Sequence, residues 1–162
     1  MIICAIDPGT RITGYGVLDI GDYLSFIVLD THHTNPIDGE QAAWLKQTLA
    51  ERRQVPHVFP VYHVPAYPSV RMPLDTRATL IRHVWVPLFE DAGLHLAFEH
   101  HDHCFKITHP LRGGQIDPDG IVYVGDGAWG VNLRAPGEHP IQKAYLRKAM
   151  PVHHVFEIEL TQ

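Results

Sequence analysis

Cysteine is scarce in these 162 residues: only Cys4 and Cys104 occur, far apart and with no CxxC pair. That spacing excludes a zinc ribbon and gives no disulfide framework. No apolar run approaches the roughly 20 residues needed to cross a bilayer. The opening run Met1 to Ile6 is broken by Asp7 and Pro8 and is too short for a signal-peptide core, so the sequence assigns no compartment. Basic residues are few, with 13 Lys and Arg against 18 Asp and Glu and a net charge of −5. A sequence-independent nucleic-acid binder carries a basic stripe, and none is present, so neither nucleic acid nor membrane is an expected partner. Internal repeats and low-complexity linkers are absent too.

Histidine, by contrast, is abundant, at 13 residues, as many as lysine and arginine together. An acidic, histidine-rich chain with 45% apolar residues reads as a globular protein with a capacity for metal. Its length suits one domain.

Along the chain, Tyr23 to Asp30 is a near-continuous apolar run, the pattern of a strand buried on both faces. Asn35, Pro36, Asp38 and Gly39 mark a loop. Glu40 to Arg53 reads as a helix burying Trp44, Leu45, Thr48 and Leu49, and Val58 to Tyr62 as a second strand. This alternation predicts a parallel βαβ unit. Asp75 is placed to cap a helix from Thr76, and Pro87 to kink or restart it. Leu94 to Glu99 and Ile121 to Val124 read as further strands, the latter opening into Gly125-Asp126-Gly127. His153 to Leu160 alternates as a C-terminal edge strand would.

Two segments concentrate the chemistry: Tyr62-His63-Val64-Pro65-Ala66-Tyr67, and His100-His101-Asp102-His103. Each follows a predicted buried strand, and ligands of open α/β sheets gather beyond the carboxyl ends of strands. If the second segment is extended, His101 and His103 point one way and Asp102 the other. Two imidazoles so placed would reach two metals about 3.5–4 Å apart, with His63 converging from the neighbouring strand. A His-x-His alone means little in so histidine-rich a chain. Its order after strand, His-x-Pro-x-Tyr, helix and strand carries the weight. The remaining histidines, His33 and His153 among them, default to surface or hydrogen-bonded positions.

This ordered set resembles the calcineurin-like metallophosphoesterases, especially their purple-acid-phosphatase-like branch. The resemblance rests on FIVLDT at Phe26 to Thr31, Gln41 with Trp44-Leu45, YHVPAY at Tyr62 to Tyr67, HDHCFK at His101 to Lys106, and IVYVGDGAWG at Ile121 to Gly130. It runs from about Gly14 to Gln162. It implies an α/β fold, part of a two-sheet sandwich flanked by helices, and hydrolysis of a phosphate ester by a metal-bound hydroxide. By it, His63 and His101 would hold one metal and His103 another, the metals being zinc, iron or manganese. No catalytic residue is assigned.

The departures shape the expectation. The family places Gly before its His-x-His and often an arginine after it, where this chain has His100 and Ile107. The early Asp-x-His, Gly-Asp-x-x-Asp and Gly-Asn-His motifs are missing. Asp22 and Asp126 are poor replacements for the bridging carboxylate, and Asp30 is not a ligand position in the family. The chain is therefore expected to be a truncated C-terminal portion, weakly active or inactive alone, with exposed sheet surface favouring self-association. Separately, Met1 to Val17 resembles the opening of RuvC-type Holliday-junction resolvases, with Asp7 in the catalytic place, or is a foreign segment. The alternatives to a phosphoesterase are thus a DNA-junction endonuclease and a noncatalytic metal-binding module.

Overall fold

A computed structural model describes residues 14–125 and 127–160. Its centre is a seven-stranded sheet in the order β1-β2-β3-β4-β8-β5-β9. The strands are β1 (Gly16–Ile20), β2 (Leu24–Leu29), β3 (His57–Tyr62), β4 (Leu96–Glu99), β5 (Phe105–Thr108), β8 (Val122–Gly125) and β9 (Leu146–Met150). The short strands β6 (Leu111–Arg112) and β7 (Gln115–Ile116) form a separate hairpin. Four helices are α1 (Glu40–Glu51), α2 (Thr76–Val84), α3 (Val86–Asp91) and α4 (Pro140–Tyr145). None of the described helices is long and apolar enough to cross a membrane.

The middle of the sheet is the predicted parallel unit: β2, β3, β4 and β8 run the same way. Alternate residues of these strands feed two cores. Ile27, Leu29, Val58, Tyr62, Ala97 and Tyr123 pack with Leu45, Ile81 and Phe89 of the helices and with Trp85 between α2 and α3. Leu24, Phe26, Phe59, Val61, Phe98 and Val124 form a second cluster.

Local chemistry sets the helix ends. Gly39 precedes α1 at φ 67°, a backbone region costly for any residue with a Cβ. The Asp75 carboxylate accepts from the N–H groups of Arg77 and Ala78 and caps α2. Pro87, lacking an N–H, sits in the first turn of α3, so the chain breaks after Val84 and restarts. The buried Gln41 side chain accepts from Asp30 N at 2.8 Å and donates to Asp30 O and Pro36 O, fastening the end of β2 to α1.

Two expectations are corrected. Residues 153–160 are not a strand: Pro151 cannot donate to a ladder, and the edge beside β5 is taken by Leu146–Met150 instead. Nor is the second sheet face bare. The six residues of the second cluster are each 9% exposed or less, with Phe156 and Leu160 of the C-terminal segment packed against them.

Candidate metal-binding site

Beyond the carboxyl ends of β2, β3 and β4, three loops meet. The loop after β3 is braced from below by Glu99, whose Oε1 accepts from the Tyr62 hydroxyl at 2.6 Å and from Ala66 N at 2.7 Å. Glu99 Oε2 is paired with Lys106 Nζ, which also donates to Tyr67 O. Burial and the Glu99 charge hold the Tyr62 phenol well above its ordinary pKa, so its proton stays in that bond. Thr31, ending the β2 segment, accepts from Val64 N through its hydroxyl at 3.1 Å. The glycine that ends β8 follows from this network: a Cβ on Gly125 would stand 2.3 Å from Lys106 Cγ.

The loop after β4 is tied to the loop after β3. His100 N donates to His63 O at 3.1 Å, and the buried His100 ring donates through Nδ1 to Tyr62 O at 3.0 Å. Asp102 points away from the histidines, accepting from Ser69 N at 2.5 Å and Val70 N at 2.9 Å. It is a tether for the segment after the His-x-Pro-x-Tyr turn.

These ties bring His63 and His101 together: His63 Nε2 lies 2.9 Å from His101 Nδ1. Two metal–nitrogen bonds of about 2.0–2.1 Å span roughly 2.9 Å when they meet at a right angle and roughly 3.3 Å at the tetrahedral angle. The pair therefore fits two positions around one ion. Burial first, then the nearby guanidinium of Arg71, pushes His101 down to about 4 from its usual 6.5, only partly offset by Asp102. A neutral imidazole is the form that ligates.

His103 lies elsewhere. The expectation that it points with His101 assumed an extended segment, whereas both residues adopt left-handed backbone, at φ 70° and 54°. That conformation breaks the two-residue alternation. The His103 ring donates through Nδ1 to Asn132 O at 3.1 Å and lines an open cavity of about 730 Å³ with Asn132, Arg134 and His153. Among the described residues, no three His, Cys, Asp or Glu side chains converge as a metal ion would require. Asp7 and Asp126 lie outside the described residues.

His33 escaped sequence reasoning. Its ring meets the His63 ring edge-on, with centroids 5.4 Å apart. The available signal was its place just beyond β2, the same logic that singled out His63 and His101. Asp30 is spent on its own turn, accepting from His33 N, Thr34 N and Asn35 N. Burial opposes its ionisation, but these bonds and that of the Thr34 hydroxyl outweigh it and lower its pKa.

Comparison with solved structures fixes what this framework is. A purple acid phosphatase from yellow lupin (Lupinus luteus) seeds, PPD1, superimposes with a TM-score of 0.68 at 16% identity, over 86% of this chain and 27% of that one. The chain has the metallophosphoesterase fold. GAP50, described as the anchor in the inner membrane complex of Plasmodium, superimposes with a TM-score of 0.60 at 15% identity, over 85% of this chain and 42% of that one. In sequence, 92 residues are 29% identical to purple acid phosphatase 18 of Arabidopsis thaliana. That match covers 54% of this chain but only 21% of the relative. No family model matches the chain. None of these likenesses supports the resolvase reading.

Proposed function

We propose that this chain is the histidine-bearing portion of a metal-dependent phosphoesterase, and that His63 and His101 hold one transition-metal ion. The observation that carries the reading is the 2.9 Å approach of His63 Nε2 to His101 Nδ1 at the ends of neighbouring parallel strands. Likeness to purple acid phosphatases in fold, and over part of the sequence, supports phosphate esters as the substrate class. Bound there, an ion such as zinc, iron or manganese would supply Lewis acidity toward a phosphate oxygen and toward water.

The chain's own part is positional. Glu99 and Lys106 fix the loop that carries His63, and Asp102 fixes the loop that carries His101. The described residues fit a single ion and not a pair. Two divalent cations a few ångströms apart repel strongly and need an anionic bridge, and no carboxylate stands at the histidine pair. Alone, the chain therefore hydrolyses phosphate esters slowly or not at all. The remaining ligands would come from outside the described residues.

The test is calorimetric titration with zinc and manganese beside assays on para-nitrophenyl phosphate and its bis-ester. One ion per chain, lost in His63→Ala and His101→Ala, with little turnover, is the expected result. Two ions with turnover near about one per second or faster, the low end of ordinary enzymes, would show the centre to be complete. No saturable metal binding would leave the second reading, a noncatalytic interaction module. That reading draws on the anchor protein that shares this fold.

A further inference from the structure

A narrow cleft of about 40 Å³ opens beside His101, between the His-x-Pro-x-Tyr turn and the start of α2. Its lining includes Arg71, Arg77, Asp75 and His101 over a floor of Val64 and Pro65. A single water needs about 10–15 Å³ measured this way, so the cleft has room for an oxyanion of a few heavy atoms. In a chain of net charge −5, two arginines line this cleft beside an imidazole, against the single carboxylate of Asp75.

Two carboxylates stand near them, Asp75 in the lining and Asp102 beside Arg71. Asp75 Oδ1 accepts from Arg77 N at 3.0 Å and Ala78 N at 3.4 Å as the cap of α2. Asp102 is buried and gives Oδ2 to Ser69 and Val70, while its Oδ1, which has no hydrogen bond among the described residues, lies 4.0 Å from Arg71 Nε, at the outer limit of an ion pair. Arg77 has no ion pair among the described residues. Arg134, the third guanidinium near His101, is already bonded to His101 O at 2.9 Å and lines the opposite cavity.

We propose that Arg71 and Arg77, beside His101 of the metal pair, form an oxyanion site that takes the terminal oxygens of a phosphate monoester. This deepens the phosphoesterase reading, and rests on it in treating the oxyanion as part of a substrate and in placing a metal at His101. A guanidinium matches two phosphate oxygens with parallel N–H bonds, which a lysine cannot do. A monoester carries about −1.5 to −2 charges near pH 7 and three terminal oxygens. A diester carries one charge and two such oxygens, so the site discriminates by charge. The same arginines oppose a bare cation at His101. An oxyanion between them offsets that repulsion, so metal and phosphate each raise the other's affinity by the same factor.

The experiment uses the metal-free chain, so that it stands apart from the metal reading. Binding of inorganic phosphate and of dimethyl phosphate is followed by calorimetry or phosphorus NMR. Phosphate should bind saturably, and dimethyl phosphate at least about tenfold more weakly. Arg71→Gln and Arg77→Gln, which keep long side chains and should melt with the parent, should each weaken phosphate about tenfold or more. Arg77→Lys should fall between, guarding against a purely structural effect. His103→Ala, in the other cavity, should leave metal-free phosphate binding unchanged. No saturable phosphate binding, equal affinity for the diester, or indifference to both arginine variants would overturn the proposal. Phosphate bound through the arginines in a chain that takes up no metal would retire the phosphoesterase reading and leave this site standing.

Discussion

Lys106 and Glu99 form an ion pair in which neither side chain is more than 1% exposed, directly beneath the loop that presents His63. The pair sits at the junction of β4, β5 and β8, where the sheet changes from parallel to antiparallel. Glu99 also holds the Tyr62 hydroxyl and Ala66 N, so its removal strands several polar groups in the core at once. Glu99→Ala should cost about 3–5 kcal/mol, the usual cost of leaving one buried charge uncompensated. Urea unfolding would read the loss as a lower midpoint. A variant within about 1 kcal/mol of the parent would mean that water or a local shift replaces the carboxylate.

The metal pair makes its own prediction. His63→Ala or His101→Ala should abolish zinc binding, since a lone imidazole holds an ion poorly. His103→Ala should leave it intact, because His103 faces the cavity shared with Asn132 and His153. Equal loss in all three variants would mean that binding draws His103 inward. Zinc titration of each variant would decide between these outcomes.

His101 supplies a pH signature. Its pKa in the folded chain is lowered to about 4 from 6.5 by burial first and Arg71 next. Between those values the unfolded chain takes up the proton and the folded chain does not. Its contribution is therefore intact above about pH 6.5 and declines as pH falls toward 4. NMR titration of the metal-free chain should show the His101 ring neutral at pH 5.5, where an ordinary histidine is mostly protonated. A midpoint at 6 or above would show the ring to be better hydrated than its surroundings imply.

The cap of α2 can be tested alone. Asp75→Ala removes the acceptor for Arg77 N and Ala78 N and should cost about 1 kcal/mol. Thermal melts would register it as a drop of about 2–4 °C for a domain of this size. It also withdraws a carboxylate from the cleft beside His101, so phosphate affinity should rise while stability falls.

How far the sequence carried these readings depended on the kind of signal. β2, α1 and β3 were legible because doubly buried strands are continuous apolar runs and α1 repeats its apolar residues at helical spacing. Asp75 and Pro87 marked the helix boundaries through their own backbone chemistry. β9 was not legible, since Leu146–Met150 alternates weakly and pairs only because β5 offers an edge. Residues 153–160 alternate better, yet they cover a sheet face and join no ladder. Within the site, the nearness of His63 and His101 followed from strand order. The departure of His103 did not, because a left-handed backbone at His101 leaves no trace in a residue pattern.

That left-handed geometry has a further consequence. Among described non-glycine residues, positive φ occurs at His32, His101 and His103, all in loops that leave the carboxyl ends of β2 and β4. An L-residue with a Cβ gives up roughly 1–2 kcal/mol in such a conformation, and glycine does not. At each of these positions, replacement by glycine relaxes the backbone and discards an imidazole in the same step. The mutational slope on stability alone thus runs away from histidine at three places around one sheet edge. A lineage in which these rings did nothing would be free to drift down that slope.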